Sequence, residues 1–326
     1  MADTPIEPLT VAIPFYKGHD YLRLAIDSVL RQSSPDWRLI VCDDGPQPGT
    51  AELVGSFADP RIRYLRNERN LGMAGNWNRC LATADTDLVN LLHNDDELLP
   101  NYVAEMLATG QAFPDAAAFF CRAKVIDAAG RESFSFVDFV KRFLQPSGRG
   151  PLVLHGKSAV ESLMRGDFVM CPTVCYRKSR LPAKWFQPEW RQVLDLDFFT
   201  RILLAGETMV GLPAIAYAYR RHPQNATAEN TESLLRFEEE SGLHDQIASI
   251  ARERGWATVA RVAAGKRVIK LHLLYRIAQD VSRLRLRRAL RKWDFLYGLL
   301  RGLGNKILRR GIQHVSPPRT GPPCAT

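Results

Sequence analysis

The chain has 326 residues, enough for one large domain with or without an appendage, and its 46% hydrophobic and 24% charged content is that of a folded protein. No apolar run reaches the ~18 residues that a membrane-spanning helix needs, and Met1–Leu9 lacks the basic and apolar regions of a secretory signal. The net charge of +9 is unevenly spread: residues 252–310 hold 17 Lys and Arg against 3 Asp and Glu, so the rest of the chain is acidic on balance.

In chain order, an apolar strand at Leu9–Phe15 is followed by a loop and by a helix that Asp20 can cap, running to about Gln32. A second strand, Trp37–Cys42, ends in Asp43-Asp44-Gly45. A helix near Thr50–Phe57 leads to a third strand, Ile62–Arg66. Gly72–Ala84 has helical periodicity, and Leu88–Leu92 is an apolar run that reads as a buried strand. Strands alternating with helices predict an α/β fold, a mostly parallel sheet flanked by helices. In such sheets ligands sit beyond the carboxyl ends of the strands. Pro14-Phe15-Tyr16, Asp43-Asp44 and Asp95-Asp96 each stand at such an end.

The last of these, His93-Asn94-Asp95-Asp96-Glu97, carries the chemistry. Adjacent carboxylates at a strand end repel one another, and a divalent cation with oxygen ligands offsets that cost. Mn²⁺ or Mg²⁺ in such a place takes one or two carboxylates and completes its shell with water and substrate phosphate. A solvated turn capping the next helix is the plainer alternative. No Gly-x-Gly-x-x-Gly follows the first strand and no Gly-x-x-x-x-Gly-Lys-Ser/Thr occurs, which argues against a dinucleotide oxidoreductase and a P-loop NTPase. The six cysteines are scattered without zinc-ligand spacing and read as buried free thiols of a reducing compartment.

Several stretches taken together resemble glycosyltransferase family 2. They are Val11-Ala12-Ile13-Pro14-Phe15-Tyr16, Ala25–Gln32, Leu39–Gly45, Asn70-Leu71-Gly72-Met73-Ala74-Gly75-Asn76-Trp77-Asn78 and His93–Glu97, and the likeness extends from Leu9 to Thr227. The resemblance implies the GT-A fold and transfer of a sugar from a nucleoside diphosphate sugar, a UDP-sugar favoured. It implies that Pro14, Tyr16, Asp43, Asp44, Asn70 and Gly72 hold the nucleotide, Tyr16 against the base. Asp44, or else Asp43, would accept a hydrogen bond from the base. Asp95-Asp96 matches the family's acidic metal motif, with Asp96 on the metal and Asp95 on the ribose or sugar; His93 stands where the motif often has its first acid. Direct displacement needs a carboxylate base for the acceptor hydroxyl. Asp195 is that candidate, with Asp197 as the fallback and a helix N-cap as its structural alternative. From Tyr219-Arg220-Arg221-His222, Arg220 would neutralise the leaving group, and His222 would ligate the metal or touch the diphosphate if it is not simply a surface residue.

Three further expectations concern the rest of the chain. The loop Gln145–Pro151 and Met170–Thr173 are expected on the acceptor side, and Phe134, Phe136, Phe139 and Phe143 either there or, at least equally well, packed in the core. Arg267–Leu303 mixes apolar residues with arginines and suits an anionic membrane surface, packing on the catalytic domain or, least well, nucleic acid. The expected organisation is a flexible N-terminus (1–8), a catalytic domain (9–228), a basic helical region (229–315) and a disordered tail (316–326). The expected enzyme is a metal-dependent, inverting transferase acting on a glycan or lipid-linked acceptor, cytoplasmic and peripheral on the inner face of the cell membrane. A catalytically silent scaffold of the same fold, or a nucleotidyltransferase, is the alternative.

Overall fold

The structure is a computed structural model that describes residues 7–133, 150–222 and 234–302. The aromatics Phe134, Phe136, Phe139 and Phe143, the loop residues 145–149, the expected boundary at 228 and the tail lie outside the described residues.

Among the described residues nine strands form one sheet. The first half is β1 (Leu9–Phe15), β2 (Trp37–Asp43), β3 (Ile62–Arg66) and β4 (Leu88–Leu91). The second is β5 (Glu97–Leu98), β6 (Ala116–Ile126), β7 (Leu152–Leu154), β8 (Val174–Arg177) and β9 (Thr208–Arg220). The order is β3-β2-β1-β4-β8-β6-β9-β5, with β7 also paired to β9. The β3-β2-β1-β4 half is parallel throughout, as expected of strands joined by helices. The second half is mixed: β8 runs antiparallel to both β4 and β6, while β6 and β9 are parallel. No sequence period reports strand direction, so this half required the tertiary fold.

Side-chain alternation splits the core into two layers. Leu9, Val11, Ile13 and Phe15 of β1 face one side, where Leu22, Ile26 and Val29 of α1 (His19–Leu30) and Tyr102, Val103 and Met106 of α4 (Tyr102–Ala112) cover them. Ala12, Ile40 and Cys42 face the other side, toward Trp77, Cys80 and Leu81 of α3 (Gly72–Thr83). The short α2 (Thr50–Gly55) follows β2. On the Ala12 side lie also α5 (Gly156–Arg165) and α6 (Leu194–Leu204). Two later helices join that layer, α7 (Leu235–Glu253) and α8 (Ala257–Gly265), through Leu243, Ile247, Ala248 and Val259. The first part of the basic region is therefore built into the core. Only α9 (Arg267–Ser282) and α10 (Leu286–Leu300) form a separate hairpin, around Leu273, Leu296 and Phe237. Asp20 does not cap α1; Gly18, at φ 99°, precedes the helix and Asp20 sits in its first turn. Cys42, Cys80, Cys121 and Cys175 are buried thiols and Cys171 a half-buried one, none of them in a disulfide.

Candidate active site

The carboxyl ends of β1, β2 and β4 open on one cleft of about 650 Å³. Four aspartates from separate parts of the chain line it: Asp44 after β2, Asp95 after β4, Asp167 after α5 and Asp195 in the first turn of α6. Pro14, Tyr16, Asn70, Gly72 and His222 line it as well.

At the β2 end, the two aspartates are sorted by the turn. Asp43 is buried, and its carboxylate accepts bonds from the Gly45 amide, the Tyr64 hydroxyl and Arg66. It holds β3 to β2 and does not face the cleft, so the expected nucleotide contact by Asp43 is not available. Asp44 does line the cleft. Its carboxylate accepts from the Leu71 amide at 2.8 Å, the Gly72 amide at 3.0 Å and the Asn67 side chain at 2.9 Å. This fastens the start of α3 beside the turn, with Gly72 at φ 71°. Gly45 is required by close approach: a Cβ there would sit 1.7 Å from the Tyr16 carbonyl oxygen. The turn thereby presses Tyr16, nearly half exposed, against the mouth of the cleft. Asn76 of α3 donates to the Cys42 carbonyl at 3.0 Å and locks the same corner from inside. The role of Asn76 escaped sequence reasoning because its partners, the Phe15 and Cys42 carbonyls and the Asn67 side chain, belong to other segments of the chain.

At the β4 end, the second pair of aspartates is also sorted, against expectation. Asp96 is 1% exposed and turned into the protein; Oδ1 accepts from the Arg220 amide at 2.7 Å and Oδ2 from the Tyr217 hydroxyl at 3.0 Å. Burial, then the neighbouring Asp95 charge, pushes its pKa well above the usual carboxylate range. Asp95 is the one that faces the cleft, where His222 Nε2 lies 3.0 Å from its Oδ2. The outward position in the motif thus belongs to Asp95. The reason is β5: pairing Glu97 and Leu98 with Ala218 and Tyr217 of β9 turns the alternate residue, Asp96, inward.

His93, Asp95 and Asp96 each offer a ligand atom within 4.8 Å of the others. His93 lines the cleft, and its Nε2 is buried with no hydrogen-bond partner. Burial lowers its basicity, with Asp95 opposing, so the imidazole is held neutral and able to ligate. This group of two carboxylates and an orphaned imidazole nitrogen, with His222 beside Asp95, fits a divalent cation that borrows further ligands from phosphate.

Arg220 also departs from expectation. It is 1% exposed, donates to the carbonyls of Asp95 at 2.8 Å and Asp127 at 3.1 Å, and pairs with Glu97. It braces the Asp95 turn from behind and has no face on the cleft. Tyr219, Arg221 and His222 line the cleft instead: alternation sends Arg220 to the side opposite Tyr219 and Arg221, and His222 lies beyond the end of β9.

Asp195 lies in the first turn of α6 and does not cap it; Val193 occupies the cap position with no side-chain bond. Glu239 of α7 instead fastens the segment that leads into the helix. Its carboxylate accepts from the backbone amides of Arg191, Gln192 and Val193 at 2.7–3.3 Å. Asp197, the fallback base, is buried against Arg201 Nε at 2.9 Å, away from the cleft, and burial raises its pKa. Met170, Cys171 and Pro172 line the same cleft as Asp195, and Asn90 of β4 holds this segment by bonds to the Pro172 and Val174 carbonyls, each 3.0 Å.

Residues 10–158 match the family described as Glycosyl transferase family 2. The chain carries a glycosyl transferase family 2 domain. An uncharacterized protein of Mycobacterium tuberculosis is 29% identical over 214 residues, 61% of this chain and 63% of that one. The Escherichia coli UDP-Glc:alpha-D-GlcNAc-diphosphoundecaprenol beta-1,3-glucosyltransferase WfgD is 34% identical over 93 residues, 28% of this chain and 37% of that enzyme. The chain thus spans less than two-thirds of these relatives. Among solved structures, S. aureus TarS 1-349 in complex with UDP matches with a TM-score of 0.54 at 15% identity, over 90% of this chain and 92% of that one. Its complex with UDP-GlcNAc matches at 0.55 and 15% identity, over 74% of this chain and 66% of that one. The fold of the family 2 domain is GT-A. Among the described residues no helix is long and apolar enough to cross a membrane.

Proposed function

We propose that the chain is an inverting glycosyltransferase that moves a sugar from a nucleoside diphosphate sugar, a UDP-sugar foremost, to a hydroxyl of a glycan or lipid-linked acceptor. The observation that carries this reading is the shared cleft, lined by Asp44, Tyr16, Asp95, His222 and Asp195 together. Tyr16 lies against the base and Asp44 accepts its N–H. Pro14, Asn70 and Gly72 complete the nucleotide end.

Asp95, with His93 and His222 beside it, would hold Mn²⁺ or Mg²⁺, which when bound neutralises the diphosphate and stabilises charge on it as it departs. Arg221 takes the leaving-group contact expected of Arg220. Asp195 accepts the proton of the acceptor hydroxyl as its oxygen bonds to the anomeric carbon. The bond from that carbon to the diphosphate oxygen breaks on the opposite face, and the electron pair leaves with the nucleoside diphosphate. One displacement inverts the centre without a covalent sugar intermediate.

The relative named as a glucosyltransferase acting on alpha-D-GlcNAc-diphosphoundecaprenol supports a lipid-linked acceptor. The test is calorimetry with UDP, GDP and dTDP, with and without Mn²⁺, followed by assay of released nucleoside diphosphate. Binding of UDP that chelation weakens, and turnover lost in Asp195→Asn, are expected. No nucleoside diphosphate bound in Mn²⁺, or release of pyrophosphate instead, would overturn the reading.

A further inference from the structure

The α9–α10 hairpin has more apolar surface than its packing uses. On α10, Ala289, Leu296 and Leu299 point inward with a spacing of three to seven residues and are buried. A second stripe, Leu286, Leu290, Trp293, Tyr297 and Leu300, recurs at the same helical period and is exposed. Helix α9 does likewise: Ile269 and Leu273 are buried, whereas Leu271, Leu274, Tyr275 and Val281 are exposed. Both exposed stripes run into the turn between the helices. There, residues 281–288 are exposed without interruption, and they read Val-Ser-Arg-Leu-Arg-Leu-Arg-Arg.

Leu284, at the tip, is 85% exposed and has φ 57°. A left-handed turn position favours Gly or Asn, and water disfavours a bare leucine, so this residue is unfavourable on both counts. The hairpin that presents it is held firmly. Lys292 and Asp280 form a buried ion pair between the two helices, and the Arg285 amide donates to the Asp280 carbonyl at 2.8 Å.

We propose that the α9–α10 hairpin docks on an anionic lipid surface, with Leu284 and Leu286 entering the headgroup region and Arg283, Arg285, Arg287, Arg288 and Arg291 meeting lipid phosphates. This names the surface at which the proposed transferase meets a lipid-linked acceptor, and it rests on that reading for its purpose only. Charge complementarity selects the occupant. A lipid interface takes leucine and arginine side by side, because apolar groups descend while guanidinium groups stay at the phosphates. The core of an interface with a second copy is depleted of charge. A nucleic-acid surface has no use for an exposed leucine at a hairpin tip.

The experiment is sedimentation of the full chain with vesicles of phosphatidylcholine, alone or mixed with phosphatidylglycerol, at low and high salt. The comparison is Leu284→Ser/Leu286→Ser, two exposed sites outside the cleft, with unchanged thermal melting as the control for folding. Binding to the anionic vesicles alone, reduced by salt and weakened at least about tenfold in the double variant, is expected. No binding to anionic vesicles at low salt, or equal binding by the variant, would overturn the proposal. So would a dimer that the variant dissolves, or duplex DNA bound more tightly than vesicles and equally by both proteins. Calorimetry with UDP and Mn²⁺ on the same preparations separates the two ideas: vesicle binding without UDP binding sinks the transferase reading and leaves the docking surface standing.

Discussion

Asp95 and His222, 127 residues apart in sequence, meet at 3.0 Å across the cleft wall. The contact joins the turn after β4 to the end of β9, and Tyr21 of α1 packs its ring 5.1 Å from the imidazole. Asp95→Asn is expected to raise the Mn²⁺ concentration needed for half-maximal activity by roughly 10–100-fold, and His222→Gln to do so less strongly. Asp96→Asn should leave that concentration nearly unchanged and lower the melting temperature instead, because its carboxylate serves Tyr217 and the Arg220 amide. Manganese titration of activity beside thermal melting of the three variants decides it; equal metal sensitivity of Asp95→Asn and Asp96→Asn would refute the assignment.

Asp195→Asn should lower kcat by roughly 10²–10⁴-fold while leaving UDP affinity within a factor of about two, since a general base acts on the acceptor proton and not on the donor. Asp197→Asn should behave differently. It breaks the contact with Arg201 inside α6 and acts on stability first. Steady-state kinetics and calorimetry on the two variants check this.

Arg220→Met leaves Glu97 and the carbonyls of Asp95 and Asp127 without their buried donor, and is expected to cost about 3 kcal/mol of stability, read from urea unfolding. Arg221→Met, on the cleft side, should leave unfolding unaltered and reduce turnover. The reverse pattern would restore the leaving-group role to Arg220.

Stability should fall on mild acidification. Burial between α7 and α8 holds the His244 imidazole below its ordinary value of 6.5, where it shares a 3.1 Å contact with the Ala263 carbonyl. The unfolded chain therefore takes up this proton first as pH falls. The contribution is fully present above about 6.5 and drains away as pH falls from there through the lowered folded value. The carboxyl of Asp96 works in the opposite sense, because its raised folded value makes the native state bind the proton first. Melting temperatures of the wild type and His244→Gln from pH 8 to pH 5 check the histidine component. A slope between those limits that His244→Gln leaves unchanged would disprove it.

The sequence by itself determined the parallel half of the sheet, the helices on its two faces and the strand ends at which ligands are met. It did so because alternation of two and periodicity near four are local properties that burial then enforces. It also singled out Asp44, Tyr16 and Asp195, which the fold brings to one cleft. What only the tertiary structure decided was which member of each polar pair turns outward: Asp44 and not Asp43, Asp95 and not Asp96, His222 and Arg221 and not Arg220. Adjacent residues differ only in side, and side is set by pairing with a remote strand: β3 for Asp43, β9 for Asp96 and β6 for Arg220. The second half of the sheet and the seat of α7 in the core were hidden for the same reason, since neither strand direction nor a distant packing partner leaves a local period to read.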